Sequence, residues 1–140
     1  MSAPRYRLID HTADIGIEVA SGSLEGMLED AGFGMFDLMA DLSRVEPERS
    51  LRLEVASGSL EDLLMDWLRE LLYRFQTDLF LSRIFVVRMT SPLSLSAEVS
   101  GGIYRPGRDE LYREIKAVTY HGLTVEKTDG LWRARVIFDV

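Results

Sequence analysis

Asp10-His11-Thr12-Ala13-Asp14 places two carboxylates, an imidazole and a hydroxyl within one short stretch of chain. Such a group could gather oxygen ligands around a cation. Asp and Thr also make Asx and ST turns, in which the same side chains only satisfy nearby backbone donors. A second polar element closes the chain. Period-two alternation puts Trp132, Ala134, Val136, Phe138 and Val140 on one face of a strand and Arg133, Arg135 and Asp139 on the other. If this strand lies beside the one entering at Ile15, Asp139 can meet Asp14, and the terminal carboxylate of Val140 adds further oxygens. Oxygen-only ligation selects a hard ion, Ca²⁺ or Mg²⁺, over Zn²⁺. The competing role for Asp139 is a surface ion pair with Arg133 or Arg135, which stabilises only modestly.

A third segment, Ile115-Lys116-Ala117-Val118-Thr119-Tyr120-His121, alternates in the same way. Lys116, Val118 and Tyr120 share one face, and Ala117, Thr119 and His121 the other. Lys116 could receive an anion or a partner carboxylate, or be a solvated strand lysine. His121 could carry a proton near neutral pH or ligate a metal, or serve as a hydrogen-bonded cap before Gly122.

Other chemistries are excluded by what the chain lacks. With no cysteine, disulfides, thiolate nucleophiles and Cys-ligated metal sites cannot form. There is no G-x-S-x-G elbow, Walker loop, H-E-x-x-H motif or dinucleotide fingerprint opening a helix. Sixteen basic against twenty-three acidic residues leave a formal charge of −7. That balance argues against a nucleic-acid backbone as primary ligand and for a neutral or basic partner. Met1–Arg7 does not read as a targeting segment, and no eighteen-residue apolar run occurs. A cytoplasmic protein with no membrane span is therefore expected.

The elements that must position these groups follow from capping and periodicity. At 140 residues, 46% hydrophobic and 28% charged, the chain reads as a single domain, 1–140, able to bury about 65–70% of its unfolded surface. Val19-Ala20-Ser21-Gly22-Ser23-Leu24-Glu25 recurs as Val55-Ala56-Ser57-Gly58-Ser59-Leu60-Glu61. Each copy reads as a strand end, a Ser-Gly turn and a helix whose N-cap is Ser23 or Ser59. The first helix carries Leu24, Leu28, Ala31, Met35, Leu38 and Leu42 on one stripe, and the second Leu60, Leu64, Trp67, Leu71 and Phe75. Gly26, Gly32 and Gly34 inside the first predict close approach to another backbone.

Strands are predicted at Tyr6–Ile9, Ile15–Ala20, Leu51–Ala56, Ile84–Val87, Leu93–Val99, Tyr112–His121, Leu123–Lys127 and Leu131–Val140, with Gly101–Asp109 as a mobile loop. The fold class is α+β: two helices packed on one face of a mainly antiparallel β-sheet.

Taken together, these segments resemble the archease family. The resemblance rests on Asp10-His11-Thr12-Ala13-Asp14-Ile15-Gly16, Gly34-Met35-Phe36-Asp37-Leu38-Met39, and Trp67-Leu68 with Glu70-Leu71-Leu72-Tyr73. It continues through Ile115–His121 to Arg135-Val136-Ile137-Phe138-Asp139-Val140, in the same order along the whole chain. It implies an accessory protein rather than an enzyme. The partner would be the tRNA-splicing RNA ligase that joins 2′,3′-cyclic or 3′-phosphate ends to 5′-hydroxyl ends. The accessory protein would promote transfer of GMP from GTP to a ligase histidine, permit multiple turnover and broaden nucleotide use. The resemblance also implies a divalent cation, Ca²⁺ preferred with Mg²⁺ or Mn²⁺ admissible, at Asp14, Asp139 and Val140. Lys116 matches a family lysine that supports activation, and His11 and His121 are expected to join it in acting on the partner. Docking would be transient, on a basic ligase surface, with no stable nucleic-acid binding. Two other classes stay open: a free-standing metal-dependent phosphoester hydrolase using the same carboxylates, and a general chaperone or interaction module.

Overall fold

Two sheets and two helices share one hydrophobic core in a computed structural model that describes residues 5–10 and 14–140. The elements are β1 (Arg7–Asp10), β2 (Ile15–Ser21), α1 (Leu24–Met39), β3 (Arg49–Ala56), α2 (Leu60–Asp78), β4 (Phe80–Ser91), β5 (Ser94–Ile103), β6 (Ala117–Thr128) and β7 (Leu131–Asp139). A 3₁₀ turn, Leu42–Arg44, follows α1. One sheet has the order β1-β2-β7-β6 and the other β3-β5-β4, and every pairing of named strands is antiparallel. The α+β class with two helices against antiparallel strands is as expected. The strands, however, divide between two sheets, and each helix packs against both.

Both halves of the internal echo form as read. The Ser23 hydroxyl accepts from the Gly26 N–H at 3.0 Å, and that of Ser59 from the Asp62 N–H at 3.1 Å. Each serine satisfies a donor that the first helical turn leaves without an intrahelical partner. The two stripes then meet in the core, where Trp67 is fully buried and its indole N–H donates to the Leu28 carbonyl at 2.8 Å. That bond removes the one polar liability of burying an indole. The glycines of α1 meet side chains rather than the backbone expected from sequence, and crowding explains them. A Cβ at position 32 would lie 3.0 Å from the Phe85 ring and 3.2 Å from Leu71, and one at position 34 would lie 3.0 Å from Ile17 and 3.1 Å from Tyr6.

Several boundaries differ from the sequence expectation. Helix α1 stops at Met39 rather than Leu42, because Ala40 turns extended while its N–H still bonds to the Phe36 carbonyl at 3.0 Å. The strands expected at Tyr112–His121 and Leu123–Lys127 are one strand, β6, which begins at Ala117 and bulges between Thr119 and Thr124. The stretch expected as a mobile loop begins inside β5, since Gly101 and Gly102 are strand residues. Its far end is tied down by Asp109, which is 8% exposed. The Asp109 carboxylate accepts from the Arg105 N–H at 2.8 Å and takes both prongs of the Arg108 guanidinium, at 2.9 and 2.6 Å.

Candidate functional site

The register of the four-stranded sheet decides which polar residues meet. Ile15 is paired with Phe138, both buried, so the next positions outward, Asp14 and Asp139, leave the same end of the β2–β7 ladder. On the other side of β7, Ala117 is paired with Asp139, and the Lys116 N–H donates to the Asp139 main-chain carbonyl at 2.7 Å. Asp10 is paired with Ile15 on β1 and closes the row. Four chain segments thus bring Asp10, Asp14, Asp139 and Lys116 to one corner of the sheet. All four are exposed.

Burial of their neighbours aims them outward. Ile115 is buried just before Lys116, and Phe138 is fully buried before Asp139. The anchors face the core, and the polar residues next to them are left in solvent. Gly16 lets the strands come together here. A Cβ on it would strike the Val136 carbonyl and lie 2.6 Å from Ile137 Cδ1. From α2, the Gln76 side-chain amide donates to the Lys116 carbonyl at 3.1 Å. The Lys116 main chain is therefore held on both sides, which leaves its side chain as the free part of the residue. No sequence pattern pointed to Gln76, since its partner is a backbone group supplied by a strand remote in sequence.

The alternative role for Asp139 is not taken up among the described residues. Arg135 donates to Glu18 at 3.2 Å, and Arg133 to the Thr128 hydroxyl at 3.1 Å. Arg7 also donates to Glu18, and this hydrogen bond, reinforced by the charges of Arg7 and Arg135, holds the Glu18 carboxyl below its usual range. The arginines of this face are thus engaged elsewhere, and the carboxylates at positions 14 and 139 carry no ion pair among the described residues.

The remaining predicted positions fall elsewhere. His121 sits exposed in the β6 bulge, past Thr119, which is opposite Ile137. Its backbone N–H is accepted by the Thr119 hydroxyl at 3.3 Å, while that hydroxyl donates to the Ile137 carbonyl at 2.9 Å. The sheet places His121 away from the Asp14–Asp139 corner. His11 lies outside the described residues. Val140 follows Asp139 and is 40% exposed.

Asp37, within the Gly34–Met39 segment, has a partner that sequence did not disclose. The Tyr6 hydroxyl donates to Asp37 at 2.6 Å, and burial together with that carboxylate pushes the phenol well above its ordinary pKa.

Chemically, the corner can gather oxygen. Among the described residues no three His, Cys, Asp or Glu side chains are arranged to hold a metal ion together, so a cation at this corner would rest on two carboxylates, main-chain oxygen and water. Such a donor set fits a hard ion that retains part of its hydration shell, Ca²⁺ or Mg²⁺, better than a tetrahedral N/S metal.

Comparison with known proteins agrees with this architecture. A model of the archease protein family (MTH1598/TM1083) matches residues 6–140. The chain is 37% identical to the archease of Methanopyrus kandleri over 135 residues, covering 94% of this chain and 96% of that one. It is equally 37% identical to the archease of Methanosarcina mazei, covering 97% of this chain and 96% of that one. The solution structure of protein 1598 from Methanobacterium thermoautotrophicum superposes with a TM-score of 0.88 at 36% identity, covering 99% of this chain and all of that one. A crystal structure from Thermotoga maritima, described as an archease and possible chaperone, has a TM-score of 0.68 at 22% identity. It covers all of this chain and 98% of its own, and likens the fold alone.

Proposed function

The chain belongs to the archease family, and on that basis we propose that it acts in the cytoplasm as the activator of a tRNA-splicing RNA ligase. In this role it promotes GMP transfer from GTP to the ligase's active-site histidine and so permits repeated turnover and wider nucleotide use. The observation that supports the reading best is the sheet corner, where β2 and β7 in register, with β6 alongside, gather Asp14, Asp139 and Lys116. These positions are distant in sequence, and the strand between Lys116 and Asp139 is bulged, yet the main chains of these two residues are locked together.

Asp14 and Asp139, with main-chain oxygen from Val140, would hold a divalent cation, Ca²⁺ in preference to Mg²⁺ or Mn²⁺. When bound, the ion would neutralise two neighbouring carboxylates and cross-link the start of β2 to the end of β7. Lys116 then presents a positive side chain from a fixed backbone at the same corner, suited to an anionic group on the ligase. Elsewhere the net charge of −7 favours steering toward a basic, RNA-handling surface. His11 and His121 belong to the same proposal as further contacts to the ligase, His121 from the β6 bulge.

The test is a guanylylation assay in which ligase, GTP and divalent metal are incubated with wild type, Asp14→Ala or Asp139→Ala, and the ligase–GMP adduct is followed. Loss of activation in both variants is expected. Full activation by both would remove the cation corner from the mechanism, and phosphoester turnover by the protein alone would favour the hydrolase instead.

A further inference from the structure

Strand β3 is an edge that lacks the cover found at the opposite edge of its own sheet. At the far side of its sheet, β4 is covered by α1, and the Val87 N–H on β4 donates to the Glu29 carboxylate at 2.9 Å. By contrast, β3 pairs with β5 through eight consecutive residues, Arg49 to Ala56, with no register shift. It contains no proline. Among the described residues, no hydrogen bond reaches the outer side of its backbone. A long, regular, unpaired edge of this kind is a template for strand addition unless something covers it.

The residue pattern of β3 identifies what covers it. Along Arg49-Ser50-Leu51-Arg52-Leu53-Glu54-Val55-Ala56, the odd positions Leu51, Leu53 and Val55 face the core side and the even positions Ser50, Arg52 and Glu54 the solvent side. We infer that β3 pairs antiparallel with β3 of a second copy about a two-fold axis at Leu53, joining two three-stranded sheets into one of six strands. In that register Arg52 lies opposite Glu54 of the second copy, and Glu54 opposite its Arg52. Leu53 meets Leu53, and Leu51 meets Val55.

Neighbouring registers are selected against. A two-fold at Arg52 sets Arg52 against Arg52, and one at Glu54 sets Glu54 against Glu54. Like charges directly opposite destabilise a ladder, whereas opposite charges support it. Moving the axis to Leu51 would place Arg49 against Leu53 on the apolar side.

The surroundings agree with this occupant. Neither Arg52 nor Glu54 forms an ion pair among the described residues. Across β5, Arg52 is level with Glu98, and Glu54 with Ser96. The shared sheet would therefore carry rows reading Glu98, Arg52, Glu54, Ser96 across the axis, with signs alternating. Beside the β3 edge runs a groove of about 540 Å³, floored by Leu53 and Val55 and walled by Arg69, Tyr73 and Arg74 of α2. Tyr73 is 56% exposed there. On the core side the groove offers the incoming strand a mixed wall, apolar at Leu53, Val55 and the Tyr73 ring and charged at Asp66, Arg69, Glu70 and Arg74. An isologous contact of this type closes on itself and stops at a dimer.

The experiment is sedimentation velocity on the full chain across a dilution series, with circular dichroism to confirm that each variant is folded. Wild type should dimerise reversibly. Arg52→Glu and Glu54→Arg should each weaken self-association by about tenfold or more, because each sets like charges opposite across the axis twice. An equimolar mixture of the two variants should recover the dimer. One partner then carries acid at both positions and the other carries base at both, so each pair across the axis is again of opposite sign. The double variant Arg52→Glu/Glu54→Arg should also self-associate. A wild type that stays monomeric overturns the inference, and points to a strand from a different protein as the edge's occupant. Dimerisation indifferent to both single substitutions overturns it equally.

Discussion

Lys116 and Asp139 are joined by a main-chain hydrogen bond of 2.7 Å, in which the Lys116 N–H donates to the Asp139 carbonyl. Neither side chain takes part, so the bond persists whatever functional groups the two residues carry. This separates position from chemistry. Lys116→Ala should keep the corner's geometry and shift stability by less than about 0.5 kcal/mol, as surface substitutions usually do, while weakening ligase activation. Thermal denaturation read beside the guanylylation assay checks this, and a matching loss of stability would show the lysine to be structural.

Gly16 tests the corner from beneath without touching any ligand candidate. A methyl group there must displace the Val136 carbonyl or Ile137 Cδ1, 2.6 Å away. Gly16→Ala is expected to cost about 1–3 kcal/mol, the range for inserting a group into packed structure. It should also weaken divalent-cation binding, because β7 carries Asp139 two residues beyond Ile137. Calorimetric Ca²⁺ titration of the folded variant reads the second effect, and unaltered affinity would argue that the end of β7 is placed independently of β2.

A cation bound only by the folded corner must stabilise the fold by mass action. At free Ca²⁺ near 100 times its dissociation constant the gain is about 2.7 kcal/mol. Asp14→Asn keeps the shape and removes one charge, so the calcium-dependent rise in Tm should shrink or vanish while the metal-free Tm stays close to wild type. An equal rise in both proteins would place the ion elsewhere.

How far these features could be read without coordinates depended on whether the signal was local. Ser23 and Ser59 were legible as caps because the donors they satisfy lie three residues away. Asp139 could be set on a strand, since alternation reports which face a side chain takes, and Asp14 just ahead of one. Their meeting was only conditional, because alternation says nothing about which strand lies alongside. The same limit hid the split into two sheets. The bulge in β6 broke its period-two pattern and made one strand look like two. Asp109 looked like loop polarity because its partners, the Arg105 N–H and the Arg108 guanidinium, leave no periodic trace.

The two caps should also be worth similar amounts. Ser23→Ala and Ser59→Ala each remove an acceptor from a first-turn N–H, and each is expected to cost about 1 kcal/mol. The capped bonds belong to different helices, so the double variant should lose close to the sum. Urea denaturation of the three variants measures this, and marked non-additivity would mean that the two strand-turn-helix units are coupled through the core that Trp67 and Leu28 share.

Asp109 provides a pH-dependent signature apart from the candidate corner. Its hydrogen bonds with Arg108, helped by the Arg105 N–H, hold the carboxyl below its ordinary 3.8. A folded-state pKa below the unfolded one means that unfolding takes up protons in the acid range, so this contribution is complete above the unfolded value and disappears as pH falls through the folded one. Asp109→Asn should therefore lose stability at neutral pH, by about 1–3 kcal/mol for a buried charge-assisted pair left half made. The difference from wild type should shrink below about pH 4, where the unfolded chain binds the proton. Chemical denaturation at pH 7 and at successively lower pH traces the two curves. A constant gap down to the acid limb would show that Asp109 contributes through shape rather than charge.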